Sequence, residues 1–321
     1  MDIEALLQRF HALPLPRHAD AVSIESLLGN AFIGVHSEGA PCLFFELNSS
    51  DLDTSRRLTR GLDLIVSPAF AVTSASDPDP SPRAGYALLL RDRAYMWCFS
   101  VLAAQVGIAL ARDPTCMATR ERIEAHVSEW SDFFGQEHLS AERAVGLWGE
   151  LYLMTQFTSA DRAVVAWVGP ARQMCDFLGS GMKLEVKTSV GGSVVWFNLD
   201  QIEGKESSHS IFVRVLPDRV RGRSLDDLVN EIARRLRDRA EFDWALVKCG
   251  YVPGANRDLK LVADEMHGIP NSEIPRPRKD DSRIRSVRYA LDIEGLATHF
   301  VAVAPLIAAI ERTSRRSRKK S

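Results

Sequence analysis

The stretch from Gly146 to Ser189 constrains the fold more than any other part of the chain. Its residues predict a helix, then an apolar connection, and then two short strands joined by a tight turn, at positions 146–154, 167–170 and 175–189. A helix followed by a strand–turn–strand is a common way to place helices on one face of a sheet. We therefore expect a mixed α and β domain organised around this stretch.

The predicted helix carries two glycines, Gly146 and Gly149, and the acidic Glu150 follows them directly. Each glycine costs a helix about 1 kcal/mol relative to alanine. Glycines inside a helix therefore usually mark a place where another element packs closely. We expect Glu150 to lie beside such a close approach, with its carboxylate near the predicted hairpin.

Side-chain alternation gives the second strand of the hairpin two different faces. Leu184 and Val186 point toward the core. Glu185 and Lys187 point to the opposite side, about 7 Å apart at ~3.3 Å per residue. The glycine-rich turn folds the preceding strand back, which brings Asp176 near Glu185 at the far end of the hairpin. The hairpin thus predicts two neighbouring carboxylates with an amine beside them.

Two carboxylates at that distance repel each other unless a positive charge lies between them. A hard divalent cation bound by oxygen atoms, such as Mg²⁺, suits that position, and Glu150 can add a third carboxylate from the helix. Lys187 would orient a water nucleophile and neutralise charge on a phosphate. The alternative is a solvent-facing ion pair between Glu185 and Lys187, worth less than about 1 kcal/mol.

Several short motifs in this stretch resemble those of one nuclease group. They are GLWGE at 146–150, WVGP at 167–170, Asp176–Phe177 and LEVKT at 184–188, with later matches at 269–270 and 286–293. On these residues the chain resembles the PD-(D/E)XK nuclease superfamily, which has the restriction-endonuclease-like fold. More narrowly, it is similar to the bacterial group described as putative PD-(D/E)XK family members, a domain of unknown function. Cys175 stands where the motif has a proline, a structural residue that is often replaced.

This resemblance implies an α/β fold for the nuclease-like domain and an α+β class for the chain as a whole. A mixed sheet flanked by helices would follow a smaller α+β N-terminal domain. The resemblance also implies hydrolysis of DNA phosphodiester bonds with Mg²⁺ or Mn²⁺ as the cofactor. Asp176 and Glu185 would bind the metal, with Glu150 as a further ligand. Lys187 would be the catalytic lysine.

The same resemblance implies a role in bacterial defence. The protein would be the cleavage component of a restriction-type system, beside ATPase and methyltransferase partners. The alternative is a catalytically inactive nuclease-fold subunit that binds DNA or a protein partner without cutting. A third alternative is a purely structural subunit that binds no metal.

The predicted elements divide the chain into an N-terminal α+β domain at 1–115, a nuclease-like domain with a helical lead-in at 116–310, and a basic, disordered tail at 311–321. In the first part, the apolar residues 94–111 predict a buried helix. In the second part, strands and helices alternate, and the apolar run Trp244–Cys249 predicts a strand.

Charge is distributed unevenly, although the formal net charge of the whole chain is only −2. Residues 1–145 have a balance of −7, and residues 146–321 have a balance of +5. A basic half is expected if that half binds a polyanion such as DNA, and a solvated surface is the alternative. The candidate DNA contacts are Gln201, Arg214, Arg219, Arg221, Arg223, Arg276, Arg278 and Lys279. A double-strand cut needs two sites, which favours a homodimer.

Other features exclude several classes of function. The five cysteines are odd in number and form no C-x-x-C pair, which argues against a zinc knuckle or a disulfide framework. A P-loop motif is absent, so nucleotide hydrolysis through that motif is excluded. The N-terminus lacks a signal-peptide pattern, and the longest apolar run, of about 15 residues, is shorter than a membrane span. We therefore expect a cytoplasmic protein with no membrane partner.

Overall fold

The structure is a computed structural model that describes residues 2–47, 54–58, 61–134, 139–171, 175–202, 208–277 and 286–312. The chain divides into two compact units, 1–138 and 139–321. Both units combine helices with mixed sheets, so the predicted α+β class is confirmed. The predicted boundary at 115/116 assigns helix Arg120–Phe134 to the second part, whereas this helix belongs to the first compact unit.

The first unit is built on a sheet that closes on itself. Its strands are β1 Ala21–Leu28, β2 Ala31–His36, β3 Pro41–Glu46, β4 Ser55–Leu58, β5 Leu62–Ser74 and β6 Ser81–Leu90. They pair in the order β1-β2-β3-β6-β5-β4, and β1 also pairs in parallel with β5, which makes the sheet barrel-like. Left-handed backbone at Gly29 and Gly39 (φ 58° and 81°) forms the turns on either side of β2.

An apolar helix fills the core of this unit. The described helices are α1 Ile3–Ala12, α2 Met96–Arg112 and α3 Arg120–Phe134. With the turn before it, α2 forms the helical stretch Arg93–Arg112 of 20 residues, whose mean hydropathy of 1.7 is sufficient for a membrane span. The predicted length of about 15 residues for this apolar run is therefore too short. Because 56% of the stretch is buried, including Phe99 and Leu102, its apolar character is that of a core helix.

The second unit contains two sheets in its described residues. The strands are β7 Phe177–Gly179, β8 Met182–Val190, β9 Val194–Asn198, β10 Ser208–Pro217, β11 Leu261–Pro270 and β12 Arg288–Asp292. The larger sheet has the order β11-β10-β8-β7, with β8 parallel to β10 and antiparallel to β7. Strands β9 and β12 pair with each other in a separate antiparallel sheet.

Helices connect and cover these strands. They are α4 Ala141–Thr155, α5 Ala160–Ala166, α6 Leu199–Ile202, α7 Leu225–Arg235, α8 Ala240–Cys249 and α9 Val303–Glu311. Helix α7 begins at Ser224, whose side chain forms a capping box with Asp227. The strand predicted at Trp244–Cys249 is wrong, because these residues lie in α8, which ends at a left-handed Gly250 (φ 82°).

The larger sheet is covered on both faces. On one face, Phe197 of β9 meets Phe212 of β10 with ring centroids 6.0 Å apart, in a buried cluster that includes Ile269. On the other face, α4 packs on β8, where Gly149 lies against Thr188. Strand β7 is short, so most of β8 has no strand beside it on that edge among the described residues. The edge of β8 between the two covering layers carries the candidate site.

Candidate metal and catalytic site

The hairpin of β7 and β8 sets the first pair of candidate residues opposite each other. Its turn uses left-handed backbone at Ser180 and Gly181 (φ 58° and 77°), as a two-residue hairpin turn requires. The ladder continues one residue beyond β7, because the backbone N–H of Asp176 donates to the carbonyl of Leu184 at 3.0 Å. In this register Asp176 lies across from Glu185, as the sequence predicts.

Asp176 is fixed through both its backbone and its side chain. Its carbonyl oxygen accepts hydrogen bonds from the N–H groups of Val168 and Gly169, at 2.8 and 3.1 Å. Its Oδ2 accepts a hydrogen bond from the backbone N–H of Val186 at 2.7 Å. Because β7 does not extend this far, the carboxylate takes the place of a strand partner for that N–H. The position of Asp176 is therefore determined by the end of the strand.

Helix α4 brings Glu150 to the same place. A Cβ atom on Gly149 would lie 1.9 Å from Oγ1 of Thr188, so only glycine lets the helix approach β8 this closely. The predicted reason for this glycine is thus confirmed. Glu150 follows at the next position, and its Oε2 accepts a hydrogen bond from Nε1 of Trp167 at 2.7 Å. The indole fixes the direction of the carboxylate.

Glu185 and Lys187 lie on one face of β8 and contact each other. Lys187 Nζ is 2.8 Å from Oε1 of Glu185 and 5.3 Å from the centroid of the Phe197 ring. The side chains are only 6% exposed for Glu185 and 15% for Lys187. This pair is therefore mostly buried, unlike the solvent-facing ion pair of the alternative interpretation.

Glu150 and Asp176 converge on one point beside Gly169. A Cβ atom on Gly169 would lie 3.1 Å from Oε2 of Glu150 and 3.2 Å from Oδ1 of Asp176. Any other residue at this position would push a methyl group between the two carboxylates. Gly169 thus keeps open a small space lined by carboxylate oxygens.

The three carboxylates share one electrostatic environment. The pKa of Glu150 is raised to about 7, chiefly by burial; the Trp167 hydrogen bond opposes this rise and nearby Glu185 contributes to it. Burial also holds the pKa of Asp176 well above its usual range, with added repulsion from Glu150 and Glu185. The pKa of Glu185 is raised by burial and is lowered in part by Lys187. The site therefore resists holding three negative charges unless a cation joins them.

The chemistry of these donors fits a hard divalent cation. Carboxylate oxygens are the ligands that Mg²⁺ and Mn²⁺ prefer, and the space beside Gly169 is already lined by two of them. Within the described residues, no group of three or more His, Cys, Asp or Glu side chains is close enough together to hold a metal ion as the side chains stand. In the structure, Glu185 is paired with Lys187 instead.

Two of the predicted DNA contacts, Arg214 on β11's partner strand β10 and Arg276 in the loop after β11, are engaged with the protein. Arg214 pairs with Asp264, at 2.9 Å, and with Glu265. Arg276 donates hydrogen bonds to the carbonyl groups of Ile202 and Asn271, at 3.1 and 3.4 Å. Both side chains thus have structural partners that a nucleic acid would have to replace.

The remaining predicted contacts differ in their surroundings. Arg223 pairs with Glu231, whereas Arg219 and Arg221 are exposed in the turn after β10. Gln201 belongs to the short helix α6. Arg278 and Lys279 lie outside the described residues. Of the described positions, Arg219 and Arg221 in this exposed turn are the ones best placed to contact a nucleic acid.

Sequence reasoning missed the residues that hold the carboxylates in position. Trp167 orients Glu150, Gly169 keeps the shared space open, and Phe197 lies beneath the ammonium of Lys187. The WVGP motif was visible as a match to the nuclease group, but its spacing from the helix gave no reason to connect its indole to Glu150. Phe197 carried no signal beyond an apolar position in a strand.

Comparisons with known proteins give one match. The model of a family described as "Putative PD-(D/E)XK family member, (DUF4420)" matches residues 8–294. This range includes Glu150, Asp176, Glu185 and Lys187. No curated protein and no solved structure matches the chain.

Proposed function

The chain belongs to this DUF4420 family of PD-(D/E)XK members, and from that membership we propose that it is a metal-dependent endonuclease acting on DNA. In this proposal the second unit is a restriction-endonuclease-like domain. Its mixed sheet, with α4 packed on β8 and α7 packed on α4, supports that assignment. The hairpin of β7 and β8 would supply the catalytic motif.

One observation carries the proposal. Asp176 and Glu185 lie opposite each other at the end of a hairpin, and Lys187 Nζ is 2.8 Å from a Glu185 oxygen. This is the order of acid, acid and amine that the family motif requires. Glu150 joins them from α4 through the space beside Gly169. A structural ion pair alone does not require two further carboxylates with raised pKa values beside it.

Each residue would have a separate task in hydrolysis. Asp176, Glu185 and Glu150 would hold Mg²⁺ or Mn²⁺, and the metal would supply an activated water and neutralise phosphate charge. Lys187 would hold its ammonium against the attacked phosphate and stabilise the charge that develops there. The Val186 N–H and the Trp167 indole keep Asp176 and Glu150 in place. The buried setting strengthens these electrostatic effects.

Plasmid cleavage tests this function. The purified full chain should convert supercoiled DNA to nicked or linear forms with Mg²⁺ or Mn²⁺, and EDTA should stop the reaction. Asp176→Asn, Glu185→Gln and Lys187→Met should each reduce the rate by at least ~100-fold. Lys183→Ala is the matched control, because Lys183 is an exposed lysine on the same strand. Unchanged cleavage by Lys187→Met would contradict the assignment.

Loss of Lys187 leaves Glu185 buried without its cation, which can destabilise the fold. Each variant should therefore be compared with wild type by thermal unfolding before its activity is interpreted. The double variant Glu185→Gln with Lys187→Met removes both charges and serves as the control for folding. Activity in this folded double variant would also contradict the proposal.

A second candidate function is a binding subunit that does not cleave. It is favoured by the pairing of Lys187 with Glu185 and by the absence, within the described residues, of a finished cluster of three metal-type ligands. Calorimetric titration with Mn²⁺ separates the two functions. Saturable binding that Asp176→Asn abolishes supports the nuclease, whereas DNA binding without metal binding supports the subunit.

The cellular setting is part of the same proposal. The protein would act in the cytoplasm as the cleavage component of a bacterial restriction-type defence system, with ATPase and methyltransferase partners. Double-strand cleavage would require two copies of the site, and we propose a homodimer on DNA. Sedimentation with and without a DNA duplex measures this directly, and a monomer that still makes double-strand cuts would contradict it.

A further inference from the structure

A groove leads from the surface of the second unit to the candidate site. It has a volume of about 810 Å³. The first turns of α4 form one wall, and β8 and β9 form the other. Lys187 lines its inner part, and Trp196 and Arg288 line its outer part. The groove therefore connects an outer aromatic surface with the predicted catalytic lysine.

Gly146 has no packing reason to be glycine. A Cβ atom at Gly149 would collide with Thr188, but a Cβ atom at Gly146 would meet no described atom within 4 Å. Gly146 lines the groove, so a side chain there would project into the open space. Glycine is unfavourable in a helix. Its presence here is explained if a ligand lies against the helix at this point.

The wall formed by α4 runs directly toward the candidate carboxylates. Glu142, Gly146 and Glu150 are spaced by four residues and therefore share one face of the helix. At ~1.5 Å per residue the stripe is about 12 Å long. A stripe of this length spans about three to four nucleotides at the ~3.4 Å spacing of one duplex strand, and fewer in a more extended strand.

The opposite wall presents an exposed aromatic side chain. Trp196 is 52% exposed, and neighbouring Val194 is 53% exposed. The guanidinium of Arg288 lies 4.9 Å from the centre of the indole ring and 3.5 Å from Glu142 across the groove. Such an exposed ion pair is weak, so a phosphate can replace Glu142 as the partner of Arg288.

We propose that this groove binds an unpaired nucleotide of the strand to be cleaved. Its base would stack on Trp196, and its phosphates would be held between Arg288 and Lys187. Bases inside a duplex are already stacked on both sides, so only single-stranded, frayed or extruded nucleotides can reach the indole. The inference rests on the proposed nuclease function and specifies its substrate as DNA with unpaired nucleotides at the cutting position.

Binding measured without catalysis tests the groove. The probe is a fluorescein-labelled oligonucleotide of 12 deoxynucleotides, added to the full chain in EDTA so that metal-dependent cleavage does not occur. Anisotropy gives its affinity, with a blunt duplex of the same sequence as competitor. We expect the single strand to bind at least 10-fold more tightly than the duplex.

Two variants and two controls locate the binding. Trp196→Ala should weaken single-strand binding by about 10-fold, the usual effect of losing one base–aromatic stack. Gly146→Leu should weaken it at least as much while leaving the melting temperature equal or higher. Gly295→Leu is the matched control, because a Cβ there also meets no described atom within 4 Å and Gly295 does not line the groove. Val165→Ala is the control for Trp196→Ala, because it removes an exposed apolar side chain on α5, away from the groove. Neither control should change the affinity for the single strand.

The outcomes separate this inference from the nuclease proposal. If wild type cleaves plasmid but binds the single strand no better than the duplex, the groove assignment is wrong and the nuclease assignment stands. Equal affinities for wild type, Trp196→Ala and Gly146→Leu also overturn it. If cleavage is absent but single-strand binding depends on Trp196 and Gly146, the groove is a nucleotide site of a non-cleaving protein.

Discussion

Replacing Glu150 with glutamine should stabilise the protein above neutral pH and have little effect in acid. Burial raises the pKa of Glu150 from 4.5 to about 7 in the folded protein. A folded-state pKa above the unfolded value means that folding favours the protonated acid. The wild type therefore loses stability as the pH rises from about 4.5 to about 7, and the loss is complete above that range.

The size of this loss follows from the shift. One pKa unit corresponds to about 1.4 kcal/mol, so the rise of the Glu150 pKa from 4.5 to about 7 means that ionised Glu150 destabilises the fold by about 3 kcal/mol. Glutamine is uncharged and keeps an oxygen that can accept the hydrogen bond from Trp167. The free energy of unfolding of Glu150→Gln should exceed that of wild type by about 2–3 kcal/mol at pH 8 and by almost nothing near pH 4.5.

Urea unfolding in EDTA at several pH values measures this difference. Tryptophan fluorescence follows the second unit, because four of the six tryptophans lie after residue 138. Glu142→Gln, an exposed carboxylate on the same helix, is the control and should leave the pH profile of stability unchanged. Saturating Mg²⁺ should reduce the advantage of Glu150→Gln at pH 8, because a bound cation stabilises the ionised form. A stability difference that does not change with pH would refute the reasoning.

Three further changes test the packing around the site. Gly149→Ala should destabilise the protein by about 1–3 kcal/mol, because its methyl group collides with Thr188; an unchanged melting temperature would show that α4 does not approach β8 so closely. Asp243→Asn should cost about 1.5–3 kcal/mol, because a neutral amide replaces the buried carboxylate that accepts two hydrogen bonds from Arg239; unchanged stability in urea unfolding would contradict this. Gly181→Ala should cost about 1–2 kcal/mol through its positive φ, and an alanine variant with wild-type stability would argue against this turn.

The hairpin and the close helix contact could be predicted because they depend on local rules. Alternation along β8 set Glu185 and Lys187 on one face, and the structure places their charged atoms 2.8 Å apart. The glycine at 149 predicted close packing on α4, and the structure gives Thr188 as its neighbour. The same rule predicts close packing at Gly146, but the structure shows an open groove there. Sequence alone does not distinguish the two glycines, because the difference depends on three-dimensional packing.

Other elements could not be predicted from local patterns. The apolar run Trp244–Cys249 fits a buried strand or a buried helix equally well. The helix is stabilised by features outside that run, namely the ion pair of Arg239 with Asp243 and the left-handed Gly250 at its end. Charge alone likewise could not show that Arg214 has partners within the protein, because Asp264 and Glu265 come from the neighbouring strand β11.

The pairing of β1 with β5 has a consequence for the folding of the first unit during its synthesis. The ring cannot close until β5, which ends at Ser74, has left the ribosome together with β6, which ends at Leu90. Until then β1 presents an open edge that can pair with strands of other nascent chains. Once β5 covers that edge, exchange of β1 between copies requires breaking the ring. Closure should therefore be the step after which β1 of this unit is no longer available for pairing with strands of other copies.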